Sequence, residues 1–452
     1  MAQAVVGATQ TRGAARADAR WDPRWDLGSS FVPAPRYTSR EFFELELERL
    51  WPRVWQIACR EDRLREPGDF IEHQLGRDSI LVLRNAAGAL RAFQNACRHR
   101  GRRLGSGCGH FEGRRIRCPF HGWTWTLDGA NTHVFLADEF APELRREEDL
   151  RLVGCQVDTW GGFVWVNQDP EAPPLREAIG PAARFLDPAA LERMGVLWHK
   201  VVELPINWKA ALDAFTESYH VPNVHPEYPE LGTDVRTFAY YAEPGGHSHY
   251  GIPLTGGEAP AAPPGVDERE LFHRYVCYTI DEIGAMYTEK DRYITAQLLH
   301  REVPKGSSAA AEYAKELYAY AARVGIRLPA LGPEELSHMG GNFAFPHFFC
   351  LPTIGNALAY RARPNGLDPD SSIFDVWSLT HFPNDEKPRY EPTQVAWDDP
   401  KQVGRVLWQD FTNLAEVAAG MRTRGFDGLR LNGRQEVGIL NMHREIDRYL
   451  RG

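Results

Sequence analysis

The stretch CRHRGRRLGSGCGHFEGRRIRCPFHGW, residues 97 to 123, limits the fold more than any other part of the chain. It contains Cys-x-His twice, at Cys97/His99 and Cys108/His110, and then Cys118-x-x-His121. Thiolates and imidazoles at such spacing are metal ligands, and a shared metal site requires loops separated in sequence to meet at one point. In an extended segment side chains two apart face the same way, so Cys97 and His99 reach one site from one side. Pro119 and Gly122 shape a turn around Cys118 and His121. Two thiolates and two imidazoles hold either tetrahedral zinc or a [2Fe-2S] cluster with the thiolates on one iron and the imidazoles on the other. A zinc ribbon usually offers Cys-x-x-Cys hooks, whereas each hook here pairs one Cys with one His. A first hook at Cys108/His110 would leave only seven residues before Cys118, too few for loops that embrace a cluster from opposite sides. Cys108 then reads as an ordinary thiol in a glycine-rich loop, and His110 as a surface residue.

The remaining chain bounds what could carry such a site. At 452 residues, 43% hydrophobic and 11% aromatic, it buries a large core and divides most naturally into two domains. The 52 basic and 61 acidic residues leave a net charge of -9, which gives no support to a nucleic-acid partner. No apolar run approaches the ~20 residues of a membrane span. The first twenty residues lack the apolar segment of a secretory signal. Seven cysteines, an odd number over a long chain, do not resemble a disulfide framework, so a reducing cytoplasm is expected.

Residues 1–37 read as a flexible tail. A helix is expected over 38–56, with Thr38-x-x-Glu41 as a capping box and Phe43, Leu47, Leu50, Trp51 and Val54 on one face. Over 57–169 the runs PGDFIEHQ, SILVLRN, LRAFQN and GGFVWVNQD predict short strands of an all-β module. Asp169-Pro170 and EAPPL end it. Residues 170–452 predict a larger α+β domain, with helical stretches near 206–220, 308–324 and 402–424 and strands such as NALAYRARP and SIFDVWSLTHF. The segment GIPLTGGEAPAAPPGVDE, residues 251–268, reads as a loop.

A second constellation lies in INWKAALDAFTESYHVPNVHPEY, residues 206–228. On a helix Asp213, Glu217 and His220 share one face. His225 would point away from it, but Pro222 ends the helix and allows the chain to fold His225 back towards His220. Alone, two histidines at this spacing are more often caps or surface groups. Two histidines and one carboxylate on one face leave open coordination positions, as in non-heme Fe(II) oxygenases.

CRHRG followed by CPFHGW resembles the cluster motif of Rieske proteins. Together with the downstream pattern NWKxxxDxxxExYHxxxxH, the chain resembles the large (α) subunit of the Rieske non-heme iron oxygenases, the aromatic ring-hydroxylating family. The resemblance implies an all-β Rieske domain and a larger α+β catalytic domain with a central antiparallel, helix-grip-like sheet. It assigns Cys97 and Cys118 to one iron of a [2Fe-2S] cluster and His99 and His121 to the other. It assigns His220 and His225 to a mononuclear iron, completed by a carboxylate from a distant helix. WQDFTNLAEVAAGM, residues 408–421, matches that helix, with Asp410 as the ligand and Glu416 in reserve. Asp410, Asn413, Leu414, Val417 and Met421 would share its buried face. Asp213 belongs to the surroundings of the iron. Glu217 is implied as the electron-transfer bridge to His121 of a neighbouring subunit in a homotrimer. The sequence departs from the family pattern in the eighteen residues between His99 and Cys118 and in Glu at 217, where Asp is commoner.

The implied activity uses O2 and electrons from a separate reductase, with or without a ferredoxin, since no GxGxxG fingerprint for NAD(P)H opens a βα unit here. A small β subunit is an optional partner. Seven arginines between Arg98 and Arg117 would steer an acidic redox partner or pair with a neighbouring subunit, unless they are simply solvated. The expected reaction is hydroxylation or cis-dihydroxylation of an apolar, aromatic small molecule, with Phe215, Phe345 and Phe349 as pocket walls. The alternative is a monooxygenase or demethylase of an N- or O-methyl compound. A non-catalytic electron carrier would need only the first 170 residues, and a zinc hydrolase would have no use for the Cys/His module.

Overall fold

The computed structural model describes residues 20–251, 265–337 and 339–451. Residues 56–167 form a seven-stranded antiparallel sheet in the order Gln56–Arg60, Phe163–Asn167, Gly154–Trp160, Leu90–Gln94, Asp78–Arg84, Asp69–Leu75 and Cys108–His110. A three-stranded sheet, Arg115–Arg117, Thr124–Thr126 and Asn131–His133, accompanies it. The strand Asp78–Arg84 shows why this module folds. Ile80 and Val82 pack with Val164 and Val166 on one side, and Leu81 and Leu83 with Phe93, Trp125, Cys97 and Cys118 on the other. The period of two thus buries both faces, and the two cysteines of the outer hooks belong to one of the resulting cores.

The second body is built on an eight-stranded sheet in the order Ala239–Ala242, Ser248–Gly251, Asn342–Ala344, Phe348–Thr353, Asn356–Asn365, Asp368–Thr380, Gly195–Leu204 and Thr393–Val395. All pairings are antiparallel except the last. Strand Asn356–Asn365 divides its residues between two cores. Leu358, Tyr360 and Ala362 pack towards helix Arg405–Met421, and Ala357 and Ala359 pack towards Phe163 and Trp165 of the first body. Arg361 completes that second face. Its guanidinium donates to the carbonyls of Ile57 (2.6 Å) and Ala58 (3.2 Å) and is paired with Asp375 (2.6 Å). No helix among the described residues is long and apolar enough to cross a membrane.

The N-terminal segment departs from expectation. Residues 1–19 of the anticipated tail, and most of the anticipated loop 251–268, lie outside the described residues. Residues 20–37, however, are not a tail. Phe31–Pro33 pairs with Gly428–Arg430, and Trp25, Val32 and Tyr37 are buried in the core of the larger body. The aromatic and apolar residues of this short segment outweigh its prolines. The following helix begins at Arg40 and ends at Arg49, short of the expected 38–56. Its cap is Ser39, which accepts from the Phe42 N–H (3.1 Å), because Thr38 closes a preceding turn and donates to the Ala34 carbonyl. Pro52 then opens a 3-10 turn, and Gln56 starts a strand.

Glu46 on this helix meets Lys209 at 2.8 Å, both side chains fully buried. Burial raises the carboxyl and lowers the ammonium, each opposed by the other's charge. Removing one partner strands the other, at a cost of about 3–5 kcal/mol. Lys209→Met should therefore lower the unfolding free energy by about that amount in chemical denaturation, and the double change Glu46→Leu, Lys209→Met should recover most of it.

Candidate active site

The two outer hooks are copies of one turn. The Cys97 N–H donates to the Arg102 carbonyl (2.8 Å), and the Gly101 N–H donates back to the Cys97 carbonyl (2.9 Å). The Cys118 N–H likewise donates to Trp123 (2.9 Å), and Gly122 donates back to Cys118 (3.0 Å). Gly101 and Gly122 both have φ +72°, where a side chain would be strained. The turns bring the buried Cys97 and Cys118 thiols into contact, and burial raises the Cys97 thiol. Nearer the surface, His99 Nδ1 and His121 Nδ1 lie 3.1 Å apart, and His99 stacks on Trp123 at 4.9 Å. Two thiols on one side and two imidazole nitrogens on the other are the donor set of a Rieske [2Fe-2S] cluster, and these residues fit one. The look-alike pair is engaged elsewhere. Cys108 and His110 lie on an edge strand rather than in a loop, and His110 Nδ1 is 2.9 Å from Asp69.

The second site gathers His220, His225 and Asp410, whose ligand atoms lie within 4.8 Å of one another. His225 Nε2 is 2.9 Å and His220 Nε2 is 3.6 Å from the same oxygen, Asp410 Oδ1. Each ring uses its other nitrogen for orientation. His220 Nδ1 meets Glu217 Oε1 at 2.6 Å, and His225 Nδ1 meets Gln409 Oε1 at 2.9 Å. Both Nε2 atoms are thereby aimed inward, the arrangement that a two-His, one-carboxylate iron site requires. Burial lowers the affinity of His220 for a proton, but the Glu217 hydrogen bond and charge outweigh it and raise its pKa to about 9.

The local backbone differs from the single broken helix anticipated. The helix Trp208–Asp213 stops at Asp213, so Asp213, Glu217 and His220 do not share a helical face. The Glu217 carboxylate instead accepts the backbone N–H groups of Tyr219 and His220, competing with helix continuation. Pro222 opens a new short helix, Val221–Val224, rather than closing an old one, and places His220 and His225 at its two ends. Asp410 does project from the buried side of Arg405–Met421, with Val406, Leu407, Phe411, Leu414 and Met421. Asn413 and Val417 are exposed, so the expected stripe was rotated, and Glu416 is exposed too. Asp213 lies outside the three-residue cluster. It accepts from Tyr37 Oη (2.7 Å), which is 2.8 Å from His443 Nε2, and Arg36 donates to His443 Nδ1 (3.1 Å).

A cavity of about 380 Å³ opens on the cluster. Phe215 and Phe349 line it, as do Tyr228, Tyr250, Tyr287 and Tyr360. Phe345 does not. It lies just beyond strand Asn342–Ala344 and stacks on Tyr449 of the C-terminal helix (6.0 Å). Gln409 and the tyrosines escaped the sequence reading. Only the position of Gln409, directly before Asp410, could have signalled a partner for a ligand.

Two family models match, the Rieske [2Fe-2S] domain over residues 54–140 and the ring hydroxylating alpha subunit catalytic domain over residues 191–452. The chain belongs to the Rieske ring-hydroxylating oxygenase α-subunit family. Among the members of this family, the glycine betaine monooxygenase oxygenase subunit of Pseudomonas aeruginosa is 30% identical over 198 residues, 43% of this chain and 45% of the relative. The carnitine monooxygenase oxygenase subunit of Acinetobacter pittii is 32% identical over 200 residues, 44% of this chain and 53% of the relative. The matched segments span about half the length of these curated relatives. The biphenyl 2,3-dioxygenase α subunit of Rhodococcus jostii is 32% identical over 191 residues, 41% of each chain. Among solved structures, the quaternary ammonium Rieske monooxygenase CntA with L-carnitine superposes with TM-score 0.61 at 19% identity, over 93% of this chain and 95% of that one. Naphthalene 1,2-dioxygenase from Rhodococcus sp. gives the same TM-score and identity, over 93% and 94%. These two establish the shared fold.

Three outcomes are expected. Gln409→Leu removes the acceptor behind His225 and should weaken iron binding about 10–100-fold in equilibrium dialysis. Cys108→Ser should leave acid-labile sulfide and visible absorption intact, whereas Cys118→Ser should abolish both. Burial, opposed by the Tyr37 hydrogen bond, raises Asp213 to about 7. Ionising it therefore opposes folding, a cost absent at low pH that grows as pH rises from about 4 and is complete above about 7. Asp213→Asn still accepts from Tyr37, so its Tm advantage over the parent should grow across that window and then level off.

Proposed function

We propose that the chain is the terminal oxygenase of a multicomponent system and acts on a small cationic N-methyl compound. One observation carries the substrate reading. The described cavity lining contains eight aromatic residues and no Lys or Arg, and its two carboxylates, Glu217 and Asp410, are engaged with His220 and His225. An N-methyl ammonium group presents its charge to aromatic faces, and such contacts strengthen on desolvation. Burial holds the Tyr228, Tyr250 and Tyr360 hydroxyls above the ordinary tyrosine range, so these rings enter the reaction protonated. The kinship with glycine betaine and carnitine monooxygenases supports the same reading. A second reading, cis-dihydroxylation of a neutral aromatic, draws on the same rings and on the biphenyl dioxygenase relative.

Cys97, His99, Cys118 and His121 would hold the Rieske cluster, and His220, His225 and Asp410 the mononuclear iron. When bound, the cluster supplies electrons singly and the iron supplies O2 activation for insertion into a C–H bond. The chain's own contribution is orientation and exclusion. Glu217 and Gln409 fix the two imidazoles, and the aromatic walls keep water from the reacting carbon. Glu217 also bridges towards His121 of the partner subunit in a homotrimer, and a reductase, with or without a ferredoxin, feeds the cluster.

Oxygen uptake with a surrogate reductase tests the assignment. His225→Ala should lose substrate-coupled uptake while keeping the cluster absorption. Glycine betaine and related trimethylammonium compounds should support turnover, and should bind at least about tenfold more tightly than neutral tert-butyl isosteres. Equal affinity for the isosteres, with coupled turnover only on biphenyl, would replace this reading with the second.

A further inference from the structure

The cavity beside His220, His225 and Asp410 has a neighbour. A second cavity of about 320 Å³ lies between the segment 231–238 and the helices Glu268–Glu282 and Ala309–Val324. Its walls are largely apolar, with Leu231, Phe238, Leu271 and Phe272, and Asp234 and Glu268 also line it. Thr233, Phe238 and Tyr275 line both cavities, so one layer of side chains divides them. Both rings of the partition are half-buried and packed on other aromatics. Tyr275 meets Tyr228 and Tyr287, with ring centroids at 5.8 and 6.1 Å, and Phe238 stacks on Tyr250 at 6.1 Å.

A compound with as few heavy atoms as glycine betaine is accommodated by the first cavity alone, which leaves an adjoining apolar chamber of similar size without a task. We infer that the second cavity is a tail subsite: the substrate carries its reacting group beside the iron ligands and an apolar chain or ring beyond Phe238. This deepens the N-methyl reading and rests on it for the head group only. The tail subsite follows from the shared walls and not from the charge of the head.

Two ligand series separate these claims, alkyltrimethylammonium ions and alkylbenzenes of increasing chain length, with dissociation constants measured calorimetrically on the iron-loaded protein. In the series that binds, affinity should rise roughly fourfold per methylene, the worth of one buried CH2, until the second cavity is filled. Leu271→Trp fills that cavity and should abolish the chain-length dependence. Ala310→Phe, at a more exposed wall position, should do the same if the first variant folds poorly. Chain-length dependence confined to alkylbenzenes would support the subsite while ending the cationic head-group reading. Flat affinity in both series, or a dependence that survives both substitutions, would overturn the subsite.

Discussion

A single oxygen atom, Asp410 Oδ1, is the point on which the larger body's candidate site converges. Two imidazoles from the segment 220–225 converge on it across 185 residues of sequence. That convergence holds only if helix Arg405–Met421 keeps one rotational setting against the sheet. Val406, Leu407, Phe411 and Leu414 supply the setting by packing against Leu358, Tyr360 and Phe374. The histidines need a second anchor, because their own helix is one turn long. Glu217 provides it by accepting two backbone N–H groups with one oxygen and orienting His220 with the other. The chain just before it is tied down by the Arg36–His443–Tyr37–Asp213 network, which joins segments more than 400 residues apart in sequence. The N-terminal segment is therefore part of the iron-binding half despite preceding the Rieske module.

The same economy governs the junction of the two bodies. Arg361 and Asp375 are buried as an ion pair, with His199 at 2.8 Å from the other Asp375 oxygen. Burial opposes ionisation of Asp375, but the charge of Arg361 and the His199 hydrogen bond hold it well below the usual carboxylate range. A buried pair contributes little net stability, but its loss is costly once one member remains. Here Arg361 also donates to Ile57 and Ala58, and the Ile57 N–H donates to neutral His347. The backbone of the first strand of the Rieske module is thus satisfied by side chains of the catalytic sheet. Relative placement of the two bodies is set by hydrogen-bond geometry as well as by apolar contact.

The distribution of what the sequence revealed follows from this. The hooks were legible because ligand chemistry admits few residue types and the turns that present them need glycine at a fixed place, Gly101 and Gly122. The strands around Ile80 to Leu83 and Leu358 to Ala362 were legible from β-rich runs bounded by turns. The helix end at Asp213 was not, since propensity favours continuation, and the Glu217 carboxylate competes with it locally by taking the Tyr219 and His220 N–H groups. Phe345 was misplaced because strand alternation carries no information beyond the strand's last residue, Ala344. The rotated face of Arg405–Met421 has a similar origin. Asn413 and Val417 match the period of Asp410, but the sheet meets the helix along Val406, Leu407, Phe411 and Leu414.

The two imidazoles differ in their supports, and the difference bears on substrate choice. His220 is backed by a carboxylate and His225 by a neutral amide. The charge of a divalent ion held by His220, His225 and Asp410 would be balanced by Asp410 and Glu217, and a glutamate in place of Gln409 would add an uncompensated negative charge behind His225. A neutral centre exerts little long-range pull on a charged substrate. Discrimination then falls to the walls, where Phe215, Tyr228, Tyr250, Phe349 and Tyr360 present ring faces and edges rather than formal charge. Such walls favour a diffuse, weakly hydrated cation over a compact one, because desolvating the compact ion costs more than the rings return. The N-methyl group proposed for the substrate would meet that condition, and a primary ammonium would not.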